Sequence, residues 1–417
     1  MNSIKLKLTI FNFLEFFVFG AWLLSFGKYM GATLHFTGIQ IGSVFMTLGF
    51  ASLIMPGVFG MIADRWLSPN KVFALLHIFG AGMLYLMAQE TSFDGLWLMT
   101  LLYLMLYMPS IGLDSAVSYC ILEKNHLDVV KTFPPIRVWG TIGFIIATWV
   151  TDLFGWGMTH YQFYFAAVIS LILGVYTFIL PDCPIDKTGE KKSFAQQIGL
   201  DAFKLFKDYK MAIFFIFAML LGAALQITNM WGEAFLHDFG HNPVFKDTTI
   251  VKYNGFVMSI SQISETLFIL TIPFFLKRFG IKTVMLMSMF AWVLRFGLFG
   301  IGNPIGLGAV ALILSMIVYG MAFDFFNISG SLFVEQEADA KIRSSAQGLF
   351  IIMTNGIGAI LGAYGSGYII DMFTKGGVKD WQTIWFIFAT YALVIAILFA
   401  ILFKYKHEPE KLGEIKH

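Results

Sequence analysis

Long apolar segments alternate with short polar segments along the whole chain. Each apolar segment has roughly 20 residues, which is enough for an α-helix to cross the hydrocarbon core of a bilayer. The pattern predicts twelve such helices, near residues 8–30, 39–62, 72–90, 95–120, 136–154, 161–180, 210–237, 252–276, 282–300, 306–334, 345–371 and 381–403. We therefore expect an all-α integral membrane protein.

Composition agrees with this class. Hydrophobic residues make up 58% of the 417 residues and charged residues only 13%, whereas a soluble domain carries about 25% charged residues. The first predicted span is too long for a signal-peptide core and has no small-residue cleavage site after it, so we expect it to be retained. The net charge of +2 does not indicate a nucleic-acid partner.

Lys and Arg predict the orientation. With both termini in the cytosol, 22 of the 28 basic residues fall in predicted cytosolic segments. Arg295 lies inside a span, and the external side holds Lys28, Lys246, Lys252, Lys375 and Lys379. Because cytosolic loops are enriched in basic residues, we expect a multi-pass membrane protein with both termini in the cytosol. Cys120 and Cys183 then lie near the cytosolic face, where we expect no structural disulfide.

The longest polar segment divides the spans into two sets of six. It covers 181–209 and separates an N-terminal half, 1–180, from a C-terminal half, 210–404, which a tail, 405–417, follows. Apolar and charged positions alternate in a helix-like way over 193–210, which favours a helix on the membrane surface. We expect this segment to be a cytosolic linker.

Two six-helix halves with a basic linker resemble the major facilitator fold, in which the substrate site lies at mid-membrane between pseudo-symmetric halves. The loop after the second span also resembles that superfamily's loop signature, through Gly57, Asp64 and Arg65. Trp66 and Leu67 depart from it, since a small residue and a basic residue are usual there. An ordinary cytosolic turn is the alternative interpretation of this loop.

Glu265 and Asp324 are carboxylates within predicted spans. An acid at mid-membrane is costly, so it normally faces a partner or a wet cavity, and it is a candidate proton carrier. Gln262 precedes Glu265 by three residues, and Asn327 follows Asp324 by three. An acid and an amide on one helix face suit a polar substrate that is handled together with a proton. A purely structural role for the acids is the alternative.

Amides and aromatic residues accompany the acids. Gln226 and Asn229 are three residues apart in the seventh span, and Tyr319 and Phe323 are four apart in the tenth. A carboxamide offers a donor beside an acceptor, which matches nucleobase edges and vicinal hydroxyls equally well. Aromatic rings offer a stacking surface. The alternative is that these amides only join neighbouring helices.

Other polar residues within the spans leave several interpretations open. Arg137 follows two prolines at a helix start and is either an interfacial anchor or a guanidinium that reaches the cavity. Glu15 either pairs across the bundle or lines the path, and Asp114 either pairs with a basic residue or belongs to the site. Arg295 is expected to be a structural partner or a snorkelling side chain. No metal site is predicted, because no ligand spacing relates His77, His160, His237 and His241.

Four strings carry a resemblance to a known family. They are FPPIRVWGTIGFI (133–145), MAIFFIFAMLLGAALQITNM (211–230), MSISQISETLFILTIPFF (258–275) and LSMIVYGMAFDFFNISGSLFVE (314–335). They closely resemble the nucleoside:proton symporters, the bacterial nucleoside permeases, and the similarity runs from about residue 5 to 407. The resemblance implies that a nucleoside cavity is lined by Arg137, Thr141, Phe144, Gln226, Asn229, Gln262, Glu265, Tyr319, Phe323 and Asp324.

The first half departs from the family pattern. Glu15 stands where Gln is expected, Phe19 where Trp is expected, and Ala224 replaces an expected acid two residues before Gln226. Asp114 also looks unusual for the family. These departures leave the transporter interpretation intact, but they put in doubt which nucleosides are preferred and how many protonatable groups couple transport.

The function expected from the resemblance is import of purine and pyrimidine nucleosides with protons. Asp324 and Glu265 are the expected proton carriers, the proton is the only coupling ion, no cofactor is required, and the expected state is a monomer. A proton-coupled sugar or oligosaccharide permease is the alternative, and it would present a Trp stacking platform, for which Trp22 and Trp231 are candidates. We find neither the nucleophile–base or metal constellation of a membrane enzyme nor the added soluble domain of a sensor.

Overall fold

A computed structural model describes residues 3–185, 200–339 and 342–405. The described chain is almost entirely helical. Its α-helices are α1 Ser3–Gly20, α2 Leu23–Lys28, α3 Gly38–Arg65, α4 Pro69–Met87, α5 Phe93–Lys124, α6 Val129–Leu153, α7 Tyr161–Thr177, α8 Tyr209–Asp238, α9 Thr249–Lys252, α10 Asn254–Ile269, α11 Ile272–Ile301, α12 Gly306–Glu337, α13 Arg343–Ile351, α14 Ala359–Met372 and α15 Trp381–Leu402.

Short irregular elements join these helices. Wide π-turns follow α2 at Tyr29–Thr33 and link α13 to α14 at Ile352–Gly358. Tight 3₁₀ segments cover Trp156–Met158, Leu200–Lys207 and Phe239–His241. A two-residue antiparallel hairpin, β1 Thr374–Lys375 and β2 Val378–Lys379, precedes α15. A helix on the membrane surface was predicted over 193–210. Within it, residues 200–207 form the second of these 3₁₀ segments, and 193–199 lie outside the described residues.

The helices agree with the predicted membrane class. Within the described ranges, ten helical stretches are long and apolar enough to cross a membrane, and α7 is a shorter apolar helix. The predicted span at 252–276 is divided between α10 and the start of α11. The backbone leaves the helical conformation inside α11 at Gly280, whose φ of 78° and ψ of 166° suit a residue without a Cβ. The count of twelve spans therefore stays a prediction.

The chain forms two compact units. Unit 1 comprises Met1–Phe36 and Ser43–Ile198, and unit 2 comprises Thr37–Gly42 and Gly199–His417. An apolar cluster in unit 1 joins α1, α4, α5 and α7 through residues such as Phe11, Phe73, Val117 and Leu173. In unit 2, the Trp385 ring stacks on Phe296, with ring centroids 5.8 Å apart.

One expectation from the sequence is wrong in this structure, because Cys120 and Cys183 are joined by a disulfide. The segment after α7 returns to the ends of α4 and α5 and carries Cys183 with it. The Cys183 N–H donates to Asn70 Oδ1 at 3.0 Å, and Lys124 Nζ donates to the Asp182 carbonyl at 3.0 Å. No pattern in the sequence indicated this return of the chain.

Candidate functional site

Arg295 joins three helices of unit 2 that carry candidate polar residues. It lies on α11 and is completely buried. Its Nε donates to Thr228 Oγ1 of α8 at 2.9 Å, and its Nη1 donates to the Ser315 carbonyl of α12 at 2.8 Å and to Ser261 Oγ of α10 at 3.3 Å. Arg295 therefore has a structural role, which was one of the two interpretations from the sequence.

The three candidate amides are close in sequence to the residues that bind Arg295. Gln226 and Asn229 flank Thr228 on α8, and Gln262 follows Ser261 on α10. Gln226 is 4% exposed and Gln262 is 9% exposed, yet Gln226 Nε2 and Gln262 Oε1 have no hydrogen-bond partner among the described residues. A buried polar atom without a partner is costly. These two amides are therefore available to a polar ligand, and Asn229 is half-buried on the same helix.

Tyr319 and Phe323 form an aromatic surface on α12. Their rings are stacked, with centroids 6.0 Å apart and an angle of 9° between planes. The Arg295 guanidinium lies 4.6 Å from the Tyr319 ring centroid, and the Trp292 ring meets Tyr319 edge-on at 5.9 Å. Tyr319 is buried and contacts Arg295, Trp292 and Phe323, whereas Phe323 is half-buried. Phe323 can therefore offer a face for stacking.

The two candidate proton carriers of unit 2, Asp324 and Glu265, are on neighbouring helices. Asp324 is 5% exposed, and its Oδ2 has no hydrogen-bond partner within the described ranges. Glu265 on α10 is half-buried and close enough for its charge to act on Asp324. Gly320 allows this approach, because a Cβ at that position would lie only 2.6 Å from the Ser264 backbone. Two ionised carboxylates this close repel each other, and a proton bound to one relieves the repulsion.

A small cavity of about 20 Å³ lies beside Phe323. It is lined by Leu225 of α8, by Phe323 and Asn327 of α12, and by Thr354 and Asn355 of the π-turn between α13 and α14. The sequence analysis missed Thr354 and Asn355. Two adjacent polar residues inside the apolar span 345–371 were the available signal, and wide turns within helices are frequent at functional sites.

Three candidate residues, Arg137, Thr141 and Phe144, lie on α6 in unit 1. The Arg137 guanidinium lies 3.8 Å from the Phe16 ring centroid of α1, in a cation–π contact. Phe144 meets Phe19 edge-on, with centroids 6.4 Å apart. All three side chains are half-buried. The structure therefore places them on one helix beside α1, and it leaves their part in binding as a prediction.

Unit 1 also contains a pair that the sequence analysis did not assemble. Glu15 Oε2 of α1 lies 2.7 Å from His77 Nε2 of α4, and both side chains are buried. Glu15 therefore pairs across the bundle, one of the two alternatives left open by the sequence. Asp114 is fully buried, and neither carboxylate oxygen has a hydrogen-bond partner among the described residues. No signal in the sequence linked His77 to Glu15, because the contact joins different helices.

The buried amides, the stacked rings and the two candidate proton carriers of unit 2 suit a polar substrate that is handled together with protons. Comparison with known proteins assigns the family. The sequence profile described as "Nucleoside H+ symporter" matches residues 1–408 of this chain. The chain belongs to the nucleoside H+ symporter family. The resemblance noted in the four sequence strings is thereby confirmed.

Relatives within the nucleoside H+ symporter family match nearly the full chain. The xanthosine permease of Escherichia coli is 53% identical over 415 residues, covering 100% of this chain and 99% of the relative. The nucleoside permease NupG of Escherichia coli is 53% identical over 405 residues, covering 97% of each. A crystal structure of the nucleoside transporter NupG superposes with a TM-score of 0.92 over 97% of this chain and 100% of that chain, at 53% identity. The expected all-α major facilitator fold is confirmed.

Proposed function

We propose that this protein imports nucleosides together with protons across the bacterial cytoplasmic membrane by alternating access. Membership of the nucleoside H+ symporter family supports the coupling to protons. Relatives named nucleoside permease and xanthosine permease support the substrate class. The observation in this chain that carries the proposal is the set of buried polar atoms without partners among the described residues, on Gln226, Gln262 and Asp324, in the unit that also holds the stacked rings of α12.

The proposed substrate site pairs each part of a nucleoside with suitable side chains. The aromatic surface stacks on the base, and the amides pair with its polar edge or with the ribose, because each amide offers a donor and an acceptor. The residues proposed to bind are Arg137, Thr141, Phe144, Gln226, Asn229, Gln262, Glu265, Tyr319, Phe323 and Asp324. Asn355 is added as a wall of the adjoining cavity.

Asp324 and Glu265 are the proposed proton carriers. A proton enters from outside and binds to this pair, which removes the repulsion between the two carboxylates and the cost of a buried charge. The nucleoside then binds, the two halves rock, and both ligands leave on the cytosolic side. Coupling requires that proton and nucleoside favour the same conformational step. We propose no cofactor other than the proton.

The proposed setting follows from the distribution of charge. The excess of Lys and Arg in the predicted internal segments supports a cytosolic position of both termini, and the relatives from Escherichia coli support a bacterial inner membrane. Purine and pyrimidine nucleosides are both proposed substrates, and the proposed unit of transport is a monomer. The family and its relatives are transporters, which supports the proposal that this protein is a transporter and not an enzyme.

The rival function is a proton-coupled sugar or oligosaccharide permease with a Trp platform. Trp231 is fully buried, and its Nε1 donates to Ser366 Oγ at 2.9 Å. Trp22 is also buried, packed edge-on against Phe26 and Tyr103. Neither Trp is therefore free to stack on a sugar, which favours a nucleoside. Counterflow in proteoliposomes with a panel of nucleosides and disaccharides tests the choice, and exchange of a disaccharide but no nucleoside would support the rival.

Removing the candidate amides singly should weaken nucleoside binding. Gln226→Ala, Asn229→Ala and Gln262→Ala each delete a hydrogen bond to the ligand. A buried partner left unpaired costs about 1–3 kcal/mol, so we expect roughly ten-fold weaker binding or more. Calorimetry in detergent measures the affinity. Asn242→Ala, at an exposed position of unit 2, is the control, and wild-type affinity in all three amide variants would place the site elsewhere.

Glu265 should recognise the ribose as well as the proton. It lies one helical turn from Gln262, and a carboxylate can accept hydrogen bonds from two vicinal hydroxyls. A 2′,3′-dideoxynucleoside should therefore bind the wild-type protein at least roughly ten-fold more weakly than the parent nucleoside. In Glu265→Gln this difference should shrink. If calorimetry finds equal affinities of the two ligands for the wild-type protein, Glu265 does not recognise the ribose.

A further inference from the structure

Unit 1 holds a buried cluster of titratable side chains that the proposed transport site does not use. Glu15 of α1 and Asp114 of α5 are each 0% exposed, and His77 of α4 is 2% exposed. All three lie in predicted membrane spans. Charged groups without compensation are costly in such surroundings, so the protonation states of the three must be balanced against one another.

The hydrogen bonds around His77 define where its protons lie. Ser170 Oγ of α7 donates to the His77 backbone carbonyl at 2.9 Å. His77 Nδ1 lies 3.0 Å from the same Ser170 Oγ. Since the hydroxyl has only one proton, Nδ1 must carry the proton of the second contact and donate it to Ser170 Oγ. The neutral ring therefore has its free lone pair on Nε2, which faces Glu15.

The pair of Glu15 and His77 consequently has room for one more proton. His77 Nε2 and Glu15 Oε2 lie 2.7 Å apart, and neither atom has a hydrogen bond to any other described residue. A proton on either atom makes the pair neutral overall, as imidazolium with carboxylate or as imidazole with carboxylic acid. Without this proton, the lone pair on His77 Nε2 faces the Glu15 carboxylate, and the two residues together carry a net charge of −1. The two states differ by one proton and one unit of charge.

Other groups that face the pair come from three further helices. From α5, Ser110 Oγ lies 2.7 Å from both Glu15 Oε1 and the Tyr107 carbonyl, so its single proton serves only one of these two contacts. The Tyr107 hydroxyl donates to the Glu15 carbonyl at 2.9 Å. Tyr103 and Asp114 of α5 also lie close enough for the Glu15 charge to act on them. Arg137 of α6 offsets negative charge at Asp114, and α7 contributes only the neutral Ser170.

A chain of packed rings connects the pair to the candidate substrate residues of α6. Tyr107 lies edge-on to the His77 ring, with centroids 6.1 Å apart. Phe19 stacks on Tyr107 at 4.9 Å and meets Phe144 edge-on at 6.4 Å. Phe144 is therefore linked through Phe19 to Tyr107, which contacts the His77 ring and donates to the backbone carbonyl of Glu15. Contiguous packing of this kind can couple two sites.

We propose that the Glu15–His77 pair is a second proton-binding site, in unit 1, so that transport moves more than one proton per nucleoside. The proposal rests on the proposed function of nucleoside–proton symport. It assigns a role to Glu15, which stands where the family resemblance leads us to expect an amide. An amide at position 15 cannot take up the proton, so the extra coupling is specific to chains with a carboxyl group there.

The stoichiometry of wild-type protein and Glu15→Gln in proteoliposomes tests the proposal. The nucleoside gradient that stops net flux at a known membrane potential gives the number of protons per nucleoside. We expect a ratio above one for wild type and a ratio lower by about one for Glu15→Gln. At 100 mV each proton supports roughly fifty-fold accumulation of a neutral solute, so the variant should accumulate roughly fifty-fold less. Glu90→Gln, in the loop between α4 and α5, is the matched control and should keep the wild-type ratio.

Each outcome decides the proposal. A wild-type ratio of one, or an equal ratio in wild type and Glu15→Gln, overturns it and leaves the pair a structural contact. If Glu15→Gln does not fold, the double variant Glu15→Gln with His77→Gln replaces the pair with two amides that can bond each other, and the same fall in ratio is expected. A wild-type protein that moves no nucleoside would contradict the proposed function itself, which keeps the two failures distinct.

Discussion

Asp324→Asn should lower the maximal accumulation of nucleoside by roughly fifty-fold or more at 100 mV while nucleoside exchange continues. A membrane potential of 100 mV supplies about 2.3 kcal/mol per proton, which corresponds to that factor for a neutral solute. Asn has nearly the shape of Asp but cannot bind and release a proton. The variant should therefore retain binding and lose the coupling that depends on Asp324.

The position of Asp324 is the reason for this large effect. The side chain is 5% exposed, its Oδ2 has no hydrogen-bond partner among the described residues, and the charge of Glu265 acts on it. Ionised Asp324 is costly in these surroundings, so the state of the protein without the proton is disfavoured. Proteoliposomes with an imposed potential and an inward proton gradient measure accumulation, and counterflow without any gradient measures exchange.

A matched substitution separates coupling from general damage. Asp247→Asn makes the same chemical change in unit 2 at an exposed carboxylate outside the predicted spans, which pairs with Lys252 at 2.9 Å. It should leave both accumulation and exchange at the wild-type level. Full uphill transport by Asp324→Asn would remove Asp324 from the coupling role, whereas loss of exchange as well as accumulation would assign it to substrate binding.

The features of this site that arise within a single helix could be predicted from the sequence. The burial of Asp324 follows from its position in a long apolar span, and the amides beside Thr228 and Ser261 follow from helical spacing. Apolar length also predicted the membrane class. The break predicted between the spans 252–276 and 282–300 contains Gly280, whose positive φ interrupts the helix there. The interruption between α10 and α11, inside the predicted span 252–276, was not predicted.

Contacts between helices could not be predicted in the same way. His77 meets Glu15 only because α4 packs beside α1, and nothing in either segment records that pairing. Arg295 likewise finds its partners on three different helices. The disulfide between Cys120 and Cys183 depends on a turn of the chain after α7. Each of these features is a property of tertiary packing, which a pattern of apolar and polar positions does not specify.

Gly320→Ala should destabilise the protein by up to about 2 kcal/mol, since overpacking costs about 1–3 kcal/mol and the gain in helix propensity offsets about 1 kcal/mol of it, and it should also reduce transport. A Cβ at position 320 would lie 2.6 Å from the Ser264 carbonyl oxygen and 2.7 Å from the Glu265 nitrogen. Both atoms are backbone, so no side chain can rotate away, and α10 and α12 must separate. That movement would shift Glu265 relative to Asp324.

Gly365→Ala provides the matched control, because it makes the same change inside α14 where a Cβ would meet nothing within 4 Å. There only the helix propensity acts, so stability should stay level or rise by up to about 1 kcal/mol. Thermal unfolding in detergent and nucleoside counterflow should be measured for both variants. Since the two substitutions are chemically identical, a lower midpoint in Gly320→Ala alone isolates the close approach of α10 and α12. Equal midpoints with wild-type counterflow in both would show that this approach does not hold the two carboxylates in place.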